Sequence, residues 1–490
     1  MEFGNIAQLV IGRLQSNIDL SLFEDSTSNI SRQKFINLVR HRCNNFSATF
    51  RPGDRILIFS GRGVDFFIDL VSVWAIGGVA IPISAESGSS YINNIILNSG
   101  VSFICANENI EGVNALFLDK KSTPVVELID LYKGDTGDLC AILFTSGSTG
   151  TPKGVMLSHY VLANNSLSAL KALGMNKERL YINIPFNFTS AICHFLACCF
   201  SDSTFIGIEK KLFMLDLVKD VESYNVAVFG GAPVQISWIS EAIKSRKVGK
   251  LRLQKIISSG DRLSVDIIKD FLKFSLGTKI FTVYGLTELG GRFCVLPYKN
   301  IRDHIGSVGK PIEGLTVKII STDNGEECKK NVEGEVVASG ELITKGYYGN
   351  DKATNSALAN KEFKTGDIGY IDDDGYLFLT DRLDDIFKVN GQKVSATLIS
   401  DSIMKLKLFS DVSVISVHSD IFGTVPVAFC VMKSHKIFEK GPILRGLRKV
   451  LANNHIPNEF ILCDSIPRTG SGKVRRSELH RLLSNRGLNE

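Results

Sequence analysis

The segment Thr145-Ser-Gly-Ser-Thr-Gly-Thr-Pro-Lys-Gly154 gathers groups suited to holding a polyphosphate. Glycine lets backbone N–H groups approach phosphate oxygens closely. The hydroxyls add donors, and Lys153 adds a positive charge. The spacing is not that of a Walker loop, which needs Gly-x4-Gly-Lys-Ser/Thr; here Lys153 stands between Pro152 and Gly154. A second stretch, Tyr284-Gly-Leu-Thr-Glu288, offers an aromatic face for a purine, a hydroxyl, and a carboxylate suited to Mg2+ beside phosphates. Ser259-Gly-Asp-Arg-Leu263, Thr365-Gly-Asp367 and Asp381-Arg382 are shorter signals, each also compatible with an ordinary turn. An aspartate among them can accept both hydroxyls of a ribose. Pro467-Arg-Thr-Gly-Ser-Gly-Lys473 ends a glycine-rich turn on a lysine. It fails as a P-loop, because Val474 stands where Ser or Thr is needed.

These stretches need rigid elements to aim them. Leu139-Cys-Ala-Ile-Leu-Phe144 is uncharged and rich in β formers, which predicts a buried strand ahead of the first loop. Ser158 predicts an N-cap for a helix running to Ala172, so strand, loop, helix is the expected order. Arg55–Ser60, a helix over Val64–Ile76 and Gly78–Ile83 form a βαβ unit, and that alternation recurs through the first 300 residues. Lys279–Val283 predicts the strand that carries Tyr284. From about Ile305, short alternating runs between Gly, Asp and Asn turns predict a smaller all-β unit. The expected fold is therefore α/β. A large domain of parallel α/β subdomains plus a small β-barrel-like unit spans residues 1–383, and a small mobile α+β domain spans 384–490.

The 490 residues suffice for two or more domains. With 56 basic and 51 acidic residues, a net charge of +5 is too small and too dispersed to argue for nucleic acid or membrane binding. Ten cysteines, none in a C-x-x-C pair, and eight histidines without zinc-ligand spacing suit a reducing compartment. No run approaches the ~20 apolar residues of a membrane helix. The start of the sequence lacks a basic, apolar leader. The expectation is a cytoplasmic protein.

The ordered set is more specific than any member. Trp74-Ala-Ile-Gly-Gly-Val-Ala-Ile-Pro82, Thr145–Gly154, Ser259–Leu263, Tyr284–Glu288, Gly334-Glu-Val-Val337, Lys345-Gly-Tyr-Tyr348, Thr365–Asp367, Asp381-Arg-Leu-Asp384, Lys388-Val-Asn-Gly391 and Pro467–Lys473 follow one another in a known order. From about residue 30 to 485 the chain resembles the adenylate-forming enzymes: acyl-CoA synthetases, adenylation domains of nonribosomal peptide synthetases, and luciferases. The resemblance implies two half-reactions. A small-molecule carboxylic acid attacks the α-phosphate of ATP to give acyl-AMP and pyrophosphate, and a thiol of CoA or of a carrier-protein phosphopantetheine then takes the acyl group.

The resemblance also implies roles. Thr145, Ser146, Gly147, Ser148, Thr149, Gly150 and Lys153 hold the β- and γ-phosphates. Tyr284 stacks on adenine, and Gly260, Asp261 and Arg262 frame its edge. Thr287 bonds the α-phosphate and Glu288 holds Mg2+. Asp367 takes the ribose hydroxyls with help from Arg382. Lys473 bridges carboxylate and α-phosphate, where a fixed cation stabilises developing charge. Lys388 and Gly391 belong to the loop that approaches the thiol, and Asp384 is the hinge. Asn187, Phe188, Val283 and Gly291 line the acid pocket.

Two positions depart from the pattern. Asn187, in Pro185-Phe-Asn-Phe-Thr-Ser190, stands at or near the place where peptide synthetase domains put Asp to hold an α-ammonium. A buried ammonium without a carboxylate is costly, so an α-amino acid is disfavoured. Aryl-acid-activating members are similar in having Asn here. Leu398 in Val394–Ser400 replaces a Glu usual in relatives. The leading reading is an acid–thiol ligase using CoA. One rival loads an aryl or small acyl acid onto a separate carrier protein, since no carrier domain is legible here. A rival of another class is a non-catalytic nucleotide-binding protein, against which the retained Lys473 and Glu288 argue.

Overall fold

A computed structural model describes residues 4–47, 50–59, 61, 63–84, 87–106, 131–145, 152–208, 214–245, 252–274, 277–389, 392–419, 423–434, 436–468 and 474–484. The chain divides into two compact units. The first comprises Met1–Val317, Ala338–Phe363 and Gly375–Leu377; the second comprises Lys318–Val337, Lys364–Asp374 and Phe378–Glu490.

The first unit holds two sheets of mainly parallel strands. In the larger, the strands run in the order Lys310–Pro311, Cys294–Leu296, Lys279–Tyr284, Lys255–Ser258, Val228–Gly231, Arg179–Ile182, Thr204–Gly207, Ser21–Glu24, Asn29–Ser31. Its middle is parallel, with Ser258 beside Thr282 and Gly231 beside Ser258, and its ends are antiparallel. The C-terminal ends of Arg179–Ile182, Val228–Gly231, Lys255–Ser258 and Lys279–Tyr284 therefore open on one side, where ligands of such sheets bind. The second sheet runs Phe103–Ala106, Arg55–Phe59, Val79–Pro82, Leu139–Thr145, Lys153–Ser158. Trp74, fully buried, ties its helix to this sheet by donating from Nε1 to the Cys140 carbonyl at 2.9 Å.

One expectation needs correcting here. The segment after Leu139–Thr145 does not lead straight into a helix. Lys153–Ser158 returns as an antiparallel strand, with Thr145 opposite Lys153 and Leu143 opposite Val155. The loop reading covers only Lys153 and Gly154 of this strand; Val155 and Leu157 are buried, and the strand pairs because the neighbouring edge needs a partner. The helix then starts as expected. Ser158 Oγ accepts from the Val161 N–H, and the helix His159–Leu173 ends on Gly174 in the left-handed region.

Phenylalanines fix the other helix that matters. Phe67 stacks on Phe195 with centroids 4.0 Å apart and meets Phe186 at a tilt, with centroids 4.8 Å apart. Phe195 lies within the helix Thr189–Phe200 and Phe186 within the turn before it. The turn carrying Asn187 and Phe188 is thus nailed to the core by both sides of one aromatic cluster.

Strands Leu315–Ile320, Gly334–Gly340, Glu362–Ile371 and Leu377–Arg382 belong to a five-stranded sheet, in the region of all-β texture. Farther on, the second unit has the hairpin Ile386–Val389 with Gln392–Ser395, and a three-stranded sheet of Phe409–Ser419, Gly423–Met432 and Glu459–Leu462. Helices Ala396–Met404 and Lys440–Leu447 cover one face through Ile399, Ile403, Ile443 and Leu447. Helix Arg476–Ser484 covers the other through Leu479 and Leu483, against Ile415, Phe429 and Ile461.

Candidate nucleotide and acid site

Tyr284 ends the strand Lys279–Tyr284 and lies 5.5 Å, centroid to centroid, from Phe293. Immediately after it the chain makes a tight loop to Arg292. Gly285 has to be glycine, because a Cβ there would sit 1.9 Å from the Gly291 carbonyl oxygen. Gly291 closes the loop with its N–H on the Leu286 carbonyl at 3.0 Å and a φ of +117°, open only to glycine. Thr287–Leu289 is a single 3-10 turn inside this loop.

Buried Asn165, on the helix His159–Leu173, locks the loop from below. Its amide donates to the carbonyls of Leu289 and Arg292 at 2.7 and 2.6 Å, and its oxygen accepts the Arg292 N–H at 3.1 Å. Sequence reasoning missed Asn165. The one signal was an amide in the apolar stripe of a helix, where a buried polar group must find partners.

Thr287 and Glu288, both in this loop, have defined neighbours. The Thr189 hydroxyl donates to Thr287 Oγ1 at 3.1 Å. The Tyr347 hydroxyl donates to Glu288 Oε1 at 3.0 Å, and the Thr344 N–H donates to the Glu288 carbonyl at 2.7 Å. Tyr347 belongs to Lys345-Gly-Tyr-Tyr348, which is clipped to the strand Lys153–Ser158: Met156 N–H to the Gly346 carbonyl at 3.0 Å, Tyr348 N–H to the Gly154 carbonyl at 2.8 Å. Lys153 Nζ lies 5.3 Å from the centre of the Tyr347 ring. Burial and the Glu288 carboxylate push the Tyr347 phenol well above its usual range, so it stays a donor.

Lys153 and Glu288, 135 positions apart in the sequence, thus meet the same tyrosine. Only one Glu288 oxygen takes a hydrogen bond from the described residues. The other is a hard oxygen donor left for a cation such as Mg2+, so the donor chemistry fits. Thr145 closes the hairpin opposite Lys153; Ser146, Gly147, Ser148, Thr149 and Gly150 lie outside the described residues.

On the neighbouring strand, Gly260 adopts φ +97° just past Lys255–Ser258, and Asp261 Oδ1 accepts the Arg262 N–H at 2.7 Å. Asp261 and Arg262 are exposed. On the acid side, Val283 is buried, and Phe188 is half-buried as the residue before the helix Thr189–Phe200. A Cβ on Gly291 would meet Cys193 Sγ at 2.8 Å and Thr189 Cγ2 at 3.0 Å. Asn187 Oδ1 and Ser190 Oγ are buried with no hydrogen-bond partner among the described residues. Orphaned polar atoms are what a pocket for a polar ligand presents before the ligand arrives.

The remaining positions lie in the second unit. Asp367 is 6% exposed, and Arg382 Nε meets its Oδ1 at 2.9 Å. Its N–H donates to Thr365 Oγ1 at 3.0 Å, and that hydroxyl donates to the Val336 carbonyl at 2.7 Å. Asp381 Oδ1 caps the Arg382 N–H at 2.8 Å and accepts from Thr397 Oγ1 at 2.9 Å. Asp384 sits in the short 3-10 turn Leu383–Asp385, whose last residue is ion-paired with Arg476. Lys388 is in register opposite Lys393 in a two-stranded hairpin. Gly391 and Lys473 lie outside the described residues.

Residues 39–348 match the AMP-binding enzyme family, and residues 399–473 match the AMP-binding enzyme C-terminal domain. The chain belongs to the AMP-binding enzyme family. Among relatives, it is 27% identical to the feruloyl-CoA synthase of an Amycolatopsis species over 445 residues, 89% of this chain and 90% of that protein. It is 26% identical to the 2-succinylbenzoate–CoA ligase of Bacillus velezensis over 349 residues, 70% and 69% of the two chains. The fold is shared with the o-succinylbenzoate CoA synthetase of Bacillus subtilis in complex with its acyl-adenylate intermediate, at TM-score 0.85 and 20% identity over 96% of this chain and 97% of that one. The sequence resemblance and the expected α/β architecture with a small C-terminal domain are thereby borne out. Among the described residues no helix is long and apolar enough to cross a membrane.

Proposed function

We propose that this AMP-forming acid–CoA ligase activates an acid without an α-ammonium group, using the residues described above in the following roles. The carrying observation is that Tyr347 joins Glu288 to Lys153, placing a carboxylate and a cation of distant sequence origin at one point. Lys153, with the loop after Thr145, holds the β- and γ-phosphates. Thr287, oriented by the Thr189 hydroxyl, bonds the α-phosphate. Tyr284 stacks on adenine beside Gly260, Asp261 and Arg262. Mg2+, when held at Glu288, offsets phosphate charge. Asp367, fixed by Arg382 and Thr365, takes the ribose hydroxyls.

In the first step the carboxylate of the acid displaces pyrophosphate from ATP. Lys473 has the role of stabilising the charge that develops between the two anions. In the second step the CoA thiol attacks the acyl carbon and AMP leaves. Residues 384–490 swing about Asp384 between the steps, bringing Lys388 and Gly391 to the thiol. Asn187 in place of a carboxylate, together with Phe188, Val283 and Gly291, sets a pocket that offers an ammonium no counter-charge. A cytoplasmic site of action fits the ten free cysteines.

The test is a panel of fatty, aryl and amino acids with Mg-ATP. Pyrophosphate release and hydroxylamine trapping report the adenylate, and addition of CoA reports the thioester. Preference for ordinary L-amino acids over the others would overturn the acid class. ATP binding without pyrophosphate release for any acid would overturn the ligase reading.

A further inference from the structure

Among the described residues of the first unit, three lysine or arginine side chains are buried: Arg32, Lys255 and Arg292. Arg32 is ion-paired with Asp202, and Lys255 with Glu178 at 2.8 Å. Arg292, 2% exposed, meets no carboxylate among the described residues. Its Nη2 reaches only the Ser190 carbonyl at 3.3 Å and the imidazole of His194, at 2.9 Å to Nδ1 and 3.4 Å to Nε2.

Neither neighbour supplies a negative charge. Burial, and next the Arg292 charge itself, drive His194 down to about 3, so its ring is neutral. Burial raises the Cys193 thiol, so it is not a thiolate. Guanidinium keeps its proton even in apolar surroundings. A buried, charged and uncompensated Arg is costly, and an anion arriving with a ligand would offset that cost.

Its surroundings say where that partner comes from. Arg292 directly follows Gly291, and Gly291 lies against Cys193 and Thr189. The orphaned Asn187 Oδ1 and Ser190 Oγ belong to the same turn and helix start. Gly230, in the strand Val228–Gly231, packs directly against His194: a Cβ there would be 3.0 Å from Nε2. Nor is the guanidinium needed to hold the loop, because Asn165 already fixes the Arg292 N–H and carbonyl.

We infer that Arg292 is a specificity-determining residue of the acid pocket, and that the acid activated carries a second anionic group, in the simplest case a second carboxylate. This rests on the ligase reading above. One carboxylate goes to the α-phosphate; the other meets the planar fork of Arg292, which suits two parallel N–H···O bonds. Neutral His194 completes the corner without competing for the anion.

The experiment compares size-matched pairs, butanoate with succinate, hexanoate with adipate, and 3-methylbenzoate with isophthalate, by pyrophosphate release from Mg-ATP with CoA. The wild-type enzyme is expected to favour the diacid in at least one pair by ~100-fold or more in kcat/KM, since a site built for a polar group rejects the analogue that lacks it. Arg292→Met should bring that ratio to about 1, and Arg292→Lys should keep part of it, with the thermal shift caused by ATP retained in both. Equal use of monoacid and diacid in every pair by the wild type overturns the proposal, and this arm needs no variant to fold. A folded Arg292→Met enzyme that keeps the preference overturns it as well. Pyrophosphate release with none of the six acids also overturns it, and hydroxamate formation from the broader acid panel then shows whether the ligase reading itself stands.

Discussion

The phenol of Tyr347 donates to Glu288 Oε1 at 3.0 Å while its ring lies 5.3 Å from Lys153 Nζ. Tyr347→Phe keeps the ring and removes the donor. A hydrogen bond to a charged group contributes roughly 1.5–3 kcal/mol, so kcat/KM for pyrophosphate release should fall ~10–100-fold, with a higher Mg2+ requirement and little change in Tm. Glu288→Gln should reproduce the metal effect more strongly. Unchanged Mg2+ titrations in both variants would remove Glu288 from the metal site.

Gly291→Ala tests the pocket floor. The added methyl meets Cys193 Sγ at 2.8 Å on a backbone with φ +117°. We expect a loss of ~1–3 kcal/mol in stability and a rise in KM for the acid with ATP affinity preserved. Calorimetry and separate KM values for acid and ATP check this. An unaltered acid KM would place the pocket elsewhere.

Lys473→Ala separates the half-reactions. Loss of a fixed cation at a developing anion typically costs ~10²–10³ in rate. Pyrophosphate exchange should fall by that factor, while thioester formation from supplied acyl-AMP continues. Wild-type exchange in the variant would end this assignment.

Asp384→Pro tests the hinge. Proline fixes φ near −65° and restricts Leu383 as well. Adenylate formation should persist and thioester formation should drop sharply in soluble protein, as measured by the two assays run side by side. Equal loss of both steps, or of neither, argues against a hinge at this residue.

Acid lability should draw in part on His159. The Ile6 N–H donates to His159 Nδ1 at 3.3 Å, and burial lowers its titration to about 4. The unfolded chain binds this proton more readily, so the contribution is full above about pH 6.5 and is lost as pH falls through 4, a swing of ~3 kcal/mol. His194, held at about 3, acts in the same direction. A Tm–pH curve for His159→Gln should be flatter over that interval than the wild-type curve.

Local signals were legible and distant ones were not. The buried strand at Leu139–Thr145, the Ser158 cap and the strand delivering Tyr284 follow from apolar runs and one hydroxyl, and all three are present. The returning strand Lys153–Ser158 was hidden because its pairing edge is supplied by another strand, while Pro152 and Gly154 look like loop residues. The Tyr347–Glu288 and Asn165–Arg292 links join positions 59 and 127 residues apart. No periodicity reports such distances. That Arg292 meets no carboxylate among the described residues is a property of its folded surroundings, which no local pattern reports.

The Thr145–Lys153 pairing has one more consequence. Cross-strand bonds hold the two ends of segment 146–152 together whatever that segment contains. The paired frame on either side of these positions is complete by itself. Selection can rewrite, lengthen or disable the segment while the sheet behind it folds unchanged, so substitutions there should yield stable, expressed and inactive protein. A lineage could lose nucleotide chemistry here in a single step and retain the fold as raw material for binding alone.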